Sequence, residues 1–350
     1  MAKIEDAVAL GIGPQTALGT INDDVRDATE LIDTVASPSG ATGILLRNPE
    51  DLAKAMERIE SDGGVVAGSR TRATGAKSRI VPTVSFDIDL KGNGGTATPS
   101  AGEFNALEYM IQILQGNRFI QEATPGGTST AYEFGIPTAA QSHKTLKIWR
   151  GTGAPGSDEA WVLQDCTFNL SLAYVAGEKC VLTADVFAGL VIYHNDSTFP
   201  AAPDFSTQVE AAPILSLAGA SVDGVVRGFR SATLAIVYPE VDVPDSNATG
   251  GTTKQIGSPR DVQFTADWYG DDASDDFPDL LESDVGVPIF FTLGVPATAG
   301  LKINAWRVDM PLFRGVTTDK VDVESGDVVR TITGYASHTT GDAELVLTAV

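Results

Sequence analysis

The chain has 350 residues, 46 of them Asp or Glu against 24 Lys or Arg, for a formal charge of −22 at pH 7. That surplus excludes a protein that grips nucleic-acid phosphates over a broad basic surface, and 43% hydrophobic residues exclude a disordered acidic tail. With 36 Gly and 18 Pro among runs of Val, Thr, Ile and Phe, short strands and turns are favoured over long helices, in a chain long enough for about two domains.

Residues 1–80 read as an irregular lead-in with one helix. Asn48 caps it, Pro49 takes the first helical position, and Leu52, Ala55, Met56 and Ile59 share a face until Gly63 and Gly64. Over 85–90, Phe86, Ile88 and Leu90 alternate with Asp87 and Asp89, the pattern of a half-buried strand. Ser100 and Glu103 form a capping box for a second helix carrying Phe104, Leu107, Ile111 and Leu114, stopped at Gly116. Strands follow over 145–149, 160–174 and 179–187, the last two joined by a turn through Ala176, Gly177 and Glu178. The Pro-rich passage 199–213 reads as a linker. Beyond it, strands are predicted over 232–238 and 262–268, a short helix near Phe277 and Pro278, then strands over 288–293, 302–308, 328–333 and 343–348.

The halves resemble each other in order. Phe86 matches Phe264, Phe104 matches Phe277, Leu146-Lys147-Ile148 matches Leu301-Lys302-Ile303, and Gly177-Glu178 matches Gly326-Asp327. The offset shrinks from 178 to 149 along the chain, as expected if the first copy carries longer insertions. The expected organisation is a lead-in over 1–80, a β domain over 81–198, the linker over 199–213 and a second β domain over 214–350.

Nothing in the sequence points to catalysis. Cys166 and Cys180 are too few for a disulfide framework and do not make a CxxC metal pair, so they read as reduced thiols. His143, His194 and His338 are scattered, and no HExxH or GxSxG pattern occurs. Gly151-Thr-Gly153-Ala-Pro-Gly156 matches a dinucleotide motif by letter, but strand patterns flank it where a phosphate site needs a following helix, so it reads as a hairpin loop. Asp271, Asp275, Asp279 and Glu282 fall at positions 1, 5, 9 and 12 of a calcium-loop spacing. Ala273 and Asp276 occupy its third and sixth positions, however, and the acids serve equally to cap the helix at Pro278. Trp149, Trp161, Trp268 and Trp306 lie in strand patterns and are expected in a core or an interface. No signal peptide is read at the N-terminus, and the uncharged stretch 285–301 is broken by Pro288, Gly294, Pro296 and Gly300, so no membrane span is expected.

The chain resembles the tail tube proteins, or major tail proteins, of long-tailed bacteriophages. The likeness is carried by Ser85-Phe-Asp-Ile-Asp-Leu-Lys-Gly92 with the Gly/Thr loop and helix after it, and by Asp165-Cys-Thr-Phe-Asn-Leu-Ser-Leu172 running into Ala176-Gly-Glu178. It continues through Phe229-Arg-Ser-Ala-Thr-Leu-Ala-Ile-Val237, the polar loop 239–259 and the strand 261–268, and covers residues 80–350. It implies a mainly β fold of two sandwich or barrel domains, each with a flanking helix. It also implies a non-enzymatic, cofactor-free virion protein, assembled in the host cytoplasm, whose rings stack into the tube that conducts DNA. The implied partners are further copies of the chain, the tape measure protein, tail terminator and tip proteins, and passing double-stranded DNA. Two fused copies favour a trimeric ring with pseudo-sixfold symmetry over a hexamer. Asp87, Asp89, Asp322 and Glu324 are candidates for the lumen wall, where acids would repel phosphates, although alternation fixes only the buried side. Val241, Pro244, Asn247, Gly250, Gly251 and Lys254 mark the long loop expected to order on contact with the adjacent ring. A capsid or tail accessory protein, and a carbohydrate-active or adhesive β protein, are the alternatives.

Overall fold

The computed structural model describes residues 8–15, 19–21, 56–58, 80–89, 130–133, 143–150, 158–188, 190–197, 221–226, 228–237, 240–244, 252–256, 261–269, 286–293, 306–322, 328–337 and 344–349. Every regular element among them is a strand. In chain order these are β1 (Val8–Pro14), β2 (Met56–Arg58), β3 (Ile80–Asp89), β4 (Thr130–Glu133), β5 (Lys144–Arg150), β6 (Asp158–Val175), β7 (Val181–Phe187), β8 (Leu190–Ser197) and β9 (Ser221–Val222). They continue as β10 (Val225–Val226), β11 (Phe229–Val237), β12 (Glu240–Pro244), β13 (Thr252–Ile256), β14 (Asp261–Tyr269), β15 (Val287–Leu293), β16 (Trp306–Asp322), β17 (Val328–Ala336) and β18 (Val346–Ala349). The protein is mainly β, and all pairings among the described residues are antiparallel, with strand order β2-β3-β7-β6-β11-β14-β17-β16-β15-β9-β10.

Two long strands organise this sheet. The first half of β6 lies between β5 and β8, and its second half between β7 and β11. The first half of β16 pairs with β15 and β18, and its second half with β17. At each handover the ladder carries a bulge, which bends the strand and re-aims it. On β6 the register slips between Lys144↔Cys166 and Leu146↔Leu163, and Asp165 there takes φ 55°, a left-handed value that Asp tolerates better than most residues. On β16 it slips between Val287↔Phe313 and Ile289↔Met310, so Pro311, which has no N–H, faces no ladder partner on β15.

Alternation supplies one buried face. Along β7 the pattern is strict, with Leu182, Ala184 and Val186 inside. Phe86, Leu170, Leu172, Leu234, Ile236, Val262, Phe264 and Ile332 point to the same side and join Leu146, Ile148, Phe291 and Met310 in one core cluster. Phe229, Phe264, Trp268, Phe291 and Phe313 pack there with ring centroids 5.7–6.2 Å apart, offset or edge to face, adding to the area they bury.

The strands expected over 145–149, 160–174, 179–187, 232–238, 262–268, 288–293 and 328–333 are present with small boundary shifts, and the turn through Gly177 has its φ of 82°. The strand expected over 302–308 runs instead from Trp306 to Asp322, because the bulge absorbs the breaker Pro311. That expected over 343–348 is the shorter β18. The lead-in helix is corrected at Met56–Arg58, which pair with Pro82, Val81 and Ile80 as a strand; a tertiary partner overrides helical spacing there. The other helix positions, the helices at 100–116 and near Phe277, and the linker 199–213 lie outside the described residues.

Gly334 stands opposite Gly315 under the Phe313 ring, and a Cβ there would lie 2.5 Å from Phe313 Cζ and closer still to the Arg314 carbonyl oxygen. Gly334→Ala is expected to force β16 off β17 and cost about 2–3 kcal/mol, the scale of core overpacking. The urea midpoint relative to wild type checks it.

Candidate functional site

The outward side of the sheet is polar across six strands. One row crosses Asp87, Thr183, Ser171, Ala235, Gln263 and Tyr335, and the next crosses Ala173, Thr233, Thr265 and Thr333. A third crosses Val175, Ser231, Asp267 and Thr331. Hydroxyls and carboxylates close across these rows. Thr183 Oγ1 donates to Asp87 Oδ1 at 2.6 Å, while Asp267 accepts from Ser231 Oγ at 2.8 Å and from Thr331 Oγ1 at 2.5 Å. Thr265 and Thr333 share a hydrogen bond of 3.1 Å between their hydroxyls. Such cross-strand pairs fix register on a face that contributes no core.

The sign of this face is negative. Strands β3, β7, β11, β14 and β17 carry Asp87, Asp89, Asp185, Asp261 and Asp267, no lysine, and only Arg230 and Arg330. Arg230 sits in the bulge between Phe229 and Ser231, and Arg330 stands opposite the core residue Trp268. Wet positions on an antiparallel sheet are normally a mixture of both charge signs, so five acids against two arginines on these strands make the face predominantly negative.

Of the expected lumen acids, Asp87 therefore lies within this face, half-buried, and Asp89 stands opposite Val181 at the end of β3. Asp322 stands opposite Val328 at the end of β16, on the far side of β17 from the other acids, and Glu324 lies outside the described residues. Asp185, Asp261 and Asp267 stand outside the expected set. Their alternation with Val186, Val262 and Trp268 is the signal that could have found them, since an acid between two core positions must face the other way.

The segment expected as a loop over 239–259 contains a two-stranded hairpin, with Val241 and Pro244 in β12 and Lys254 in β13, in register from Glu240↔Ile256 to Pro244↔Thr252. The hairpin forms a two-stranded sheet of its own, and β13 touches β6. Asn247, Gly250 and Gly251 lie outside the described residues, as do Asp271, Asp275, Asp279 and Glu282. Among the described residues no three His, Cys, Asp or Glu come together as metal ligands, and no helix is long and apolar enough to cross a membrane. Cys166 and Cys180 are buried free thiols, and β6 follows the Gly151–Gly156 motif as an antiparallel partner of β5.

The strongly perturbed groups sit away from the acidic face. Burial pushes the Lys144 amine, at the β5–β6 bulge, down to about 8. Burial, then the neighbouring Cys180, raises the Tyr174 phenol to about 12. Both shifts follow from burial within the packed sheet.

No family model matches the chain, and no curated protein matches it in sequence.

A lysine whose folded pKa lies below its unfolded one costs stability while the unfolded chain is the better proton binder, and the cost fades as pH rises from about 8 towards about 10.4. Tyr174, raised in the fold, opposes this only above about pH 10. Wild type is therefore expected to gain on the order of 2 kcal/mol relative to Lys144→Met between pH 8 and 10. Denaturant unfolding of both proteins across that window measures it.

Proposed function

We propose that this chain is a structural protein of a phage virion whose copies close into rings, and that the rings stack into a hollow tail tube conducting DNA. The observation that carries the reading is a broad sheet with an apolar side turned to its own core and a side bearing acids without lysine. A wall of that sign repels phosphates, so a duplex slides along it without sticking. The likeness of residues 80–350 to tail tube proteins supports the same reading.

The strand order supports a reading as two related β domains. Along the sheet, β2-β3-β7-β6 is succeeded by β11-β14-β17-β16. In each set of four the first two strands adjoin as a hairpin, and the last is the long strand that serves a second group of strands as well. Registers agree with this: Phe86 faces Ala184 where Phe264 faces Gly334. The flanking helices expected at 100–116 and near Phe277 belong to the same reading.

Strand geometry then favours three copies. Eight strands per chain give 24 in a trimer, and at a spacing of about 4.8 Å and a tilt of about 40° these close at a backbone diameter of about 48 Å. Side chains of about 5 Å on each wall leave a bore of about 38 Å, ample for duplex DNA, whereas six copies would double the diameter. The ring is therefore a trimer with pseudo-sixfold symmetry. Tape measure, terminator and tip proteins are its further partners, the virion its location and the host cytoplasm its place of assembly.

End-on averages of tubes from the purified chain are expected to show threefold symmetry with six similar lobes; true sixfold symmetry would remove the trimer. Replacing Asp185 and Asp261 together by Lys is expected to leave tube width unchanged and to slow DNA release from the reconstituted phage. Release at the wild-type rate would mean that this face does not line the bore.

A further inference from the structure

We infer that Gln15, Gly19 and Thr20 form a latch on the bend of β6, and that opening this latch uncovers the Lys144 side chain to acylating reagents while the rest of the sheet stays folded.

The two long strands each bend at a bulge, but the bends are secured differently. At the β16 bulge the Ser337 N–H donates to the Leu312 carbonyl at 2.7 Å, so the residue following β17, already the ladder partner of β16, secures it. At the β6 bulge the bonds come from a segment joined to the sheet through β1, whose one partner among the described residues is β5. The Asp165 N–H donates to Gln15 Oε1 at 3.2 Å, and the Gly19 N–H donates to Asp165 Oδ1 at 2.8 Å. The Gln15 N–H donates to the His143 carbonyl at 2.8 Å, and Gln15 Nε2 donates to the Thr20 carbonyl.

A clasp of this kind opens locally. Its bonds are polar, Gly19 and Thr20 are exposed, and of the three latch residues only Gln15 is buried. Opening therefore exchanges hydrogen bonds for bonds to water and uncovers little apolar area, which places it at the low end of the range of opening free energies. It also frees Asp165 from its left-handed φ of 55°. Beyond the bulge, Leu170 and Leu172 on β6 keep their ladders to both β7 and β11.

Lys144 sits at the corner this clasp closes. It stands opposite Pro14 on β1, one residue before Gln15, and opposite Cys166 on β6, one residue after Asp165. The side chain is 4% exposed, and burial pushes its amine down to about 8, the mark of an ammonium shut away from water while the latch is closed. Lys147 is equally buried but lies three residues along β5, and so on the opposite side of that strand. It serves as an internal reference, since unfolding of the sheet uncovers both lysines and opening of the latch uncovers Lys144 alone.

The test is timed acetylation of the full-length chain with sulfosuccinimidyl acetate, followed by peptide mass spectrometry of the two lysines. In this reaction the lysine nitrogen attacks the ester carbonyl, an amide forms, and the succinimidyl oxygen leaves as the amine gives up a proton. Lys144 in Gln15→Ala is expected to react on the order of tenfold faster than in wild type, through loss of the Gln15 side-chain bonds, with Lys147 unchanged. Equal acceleration of both lysines overturns the latch, because opening is then global, and an unchanged Lys144 rate overturns it as well. Gly19→Ala leaves the buried Gln15 in place and strains the latch through its φ of 77°, although the nearest atom to the new Cβ is Gln164 Nε2 at 3.8 Å. It is expected to speed Lys144 alone by about threefold, with a smaller effect from Gly19→Asn, and no effect of Gly19→Ala overturns the inference. Hydrogen exchange of wild type needs no variant. The Gln15, Gly19 and Asp165 amides are expected to share one rate, faster than Leu170 and Leu172, and exchange as slow as those two overturns the latch.

Discussion

The fold depends on long strands that each belong to two groups of neighbours, and β6 shows what this requires of the backbone. Where it passes from β5 and β8 to β7 and β11, Asp165 must adopt a left-handed conformation while 4% exposed. Strain and burial at one residue persist only if surrounding bonds over-determine it. They do: the Gly19 N–H donates to Asp165 Oδ1 at 2.8 Å, and the Asp165 N–H donates to Gln15 Oε1 at 3.2 Å. The Gln15 N–H donates in turn to the His143 carbonyl at 2.8 Å, and Gln15 Nε2 donates to the Thr20 carbonyl. A short segment following β1 thus holds the bend from 146 residues away.

With the bend fixed, the two sides of the sheet take separate tasks. The inner side fills one core that runs through both halves of the chain, from Val84 to Leu345. The outer side contributes hydrogen bonds in place of buried area. Asp267, held by hydroxyls from both neighbouring strands, ties three strands together. A carboxylate can accept several such bonds without neutralisation, so a face can be negative and rigid at once. Threonine suits the remaining positions because its branched Cβ favours the strand and its hydroxyl can bridge to the next one.

The β12–β13 hairpin extends the same economy. It forms a two-stranded sheet of its own and lies in the chain between β11 and β14, which are anchored by Leu234, Ile236, Val262 and Phe264. A two-stranded ribbon in isolation is marginal, and the register of this one, Glu240↔Ile256, is offset by two residues from that of Val237↔Asp261.

The sequence by itself determined the β character, the strands with clean alternation and the sign of the charge, because those depend on residue type and on a period of two. Phe86 against Asp87 and Phe264 against Thr265 declare their sides by residue type alone. Phe86 and Phe264 are both buried, as their alternation with polar neighbours declares. Only the tertiary structure decided which acids share a face. Asp87, Asp185 and Asp267 are brought together by pairings between strands far apart in the chain, Asp87 opposite Thr183 and Ser171 opposite Ala235, which no local pattern encodes. It likewise decided that Met56–Arg58 is a strand, that β16 runs through Pro311 and that 239–259 holds a hairpin. In each, a partner strand supplies the hydrogen bonds that local propensity would have spent otherwise, and that partner is absent from any window of the sequence short enough to read.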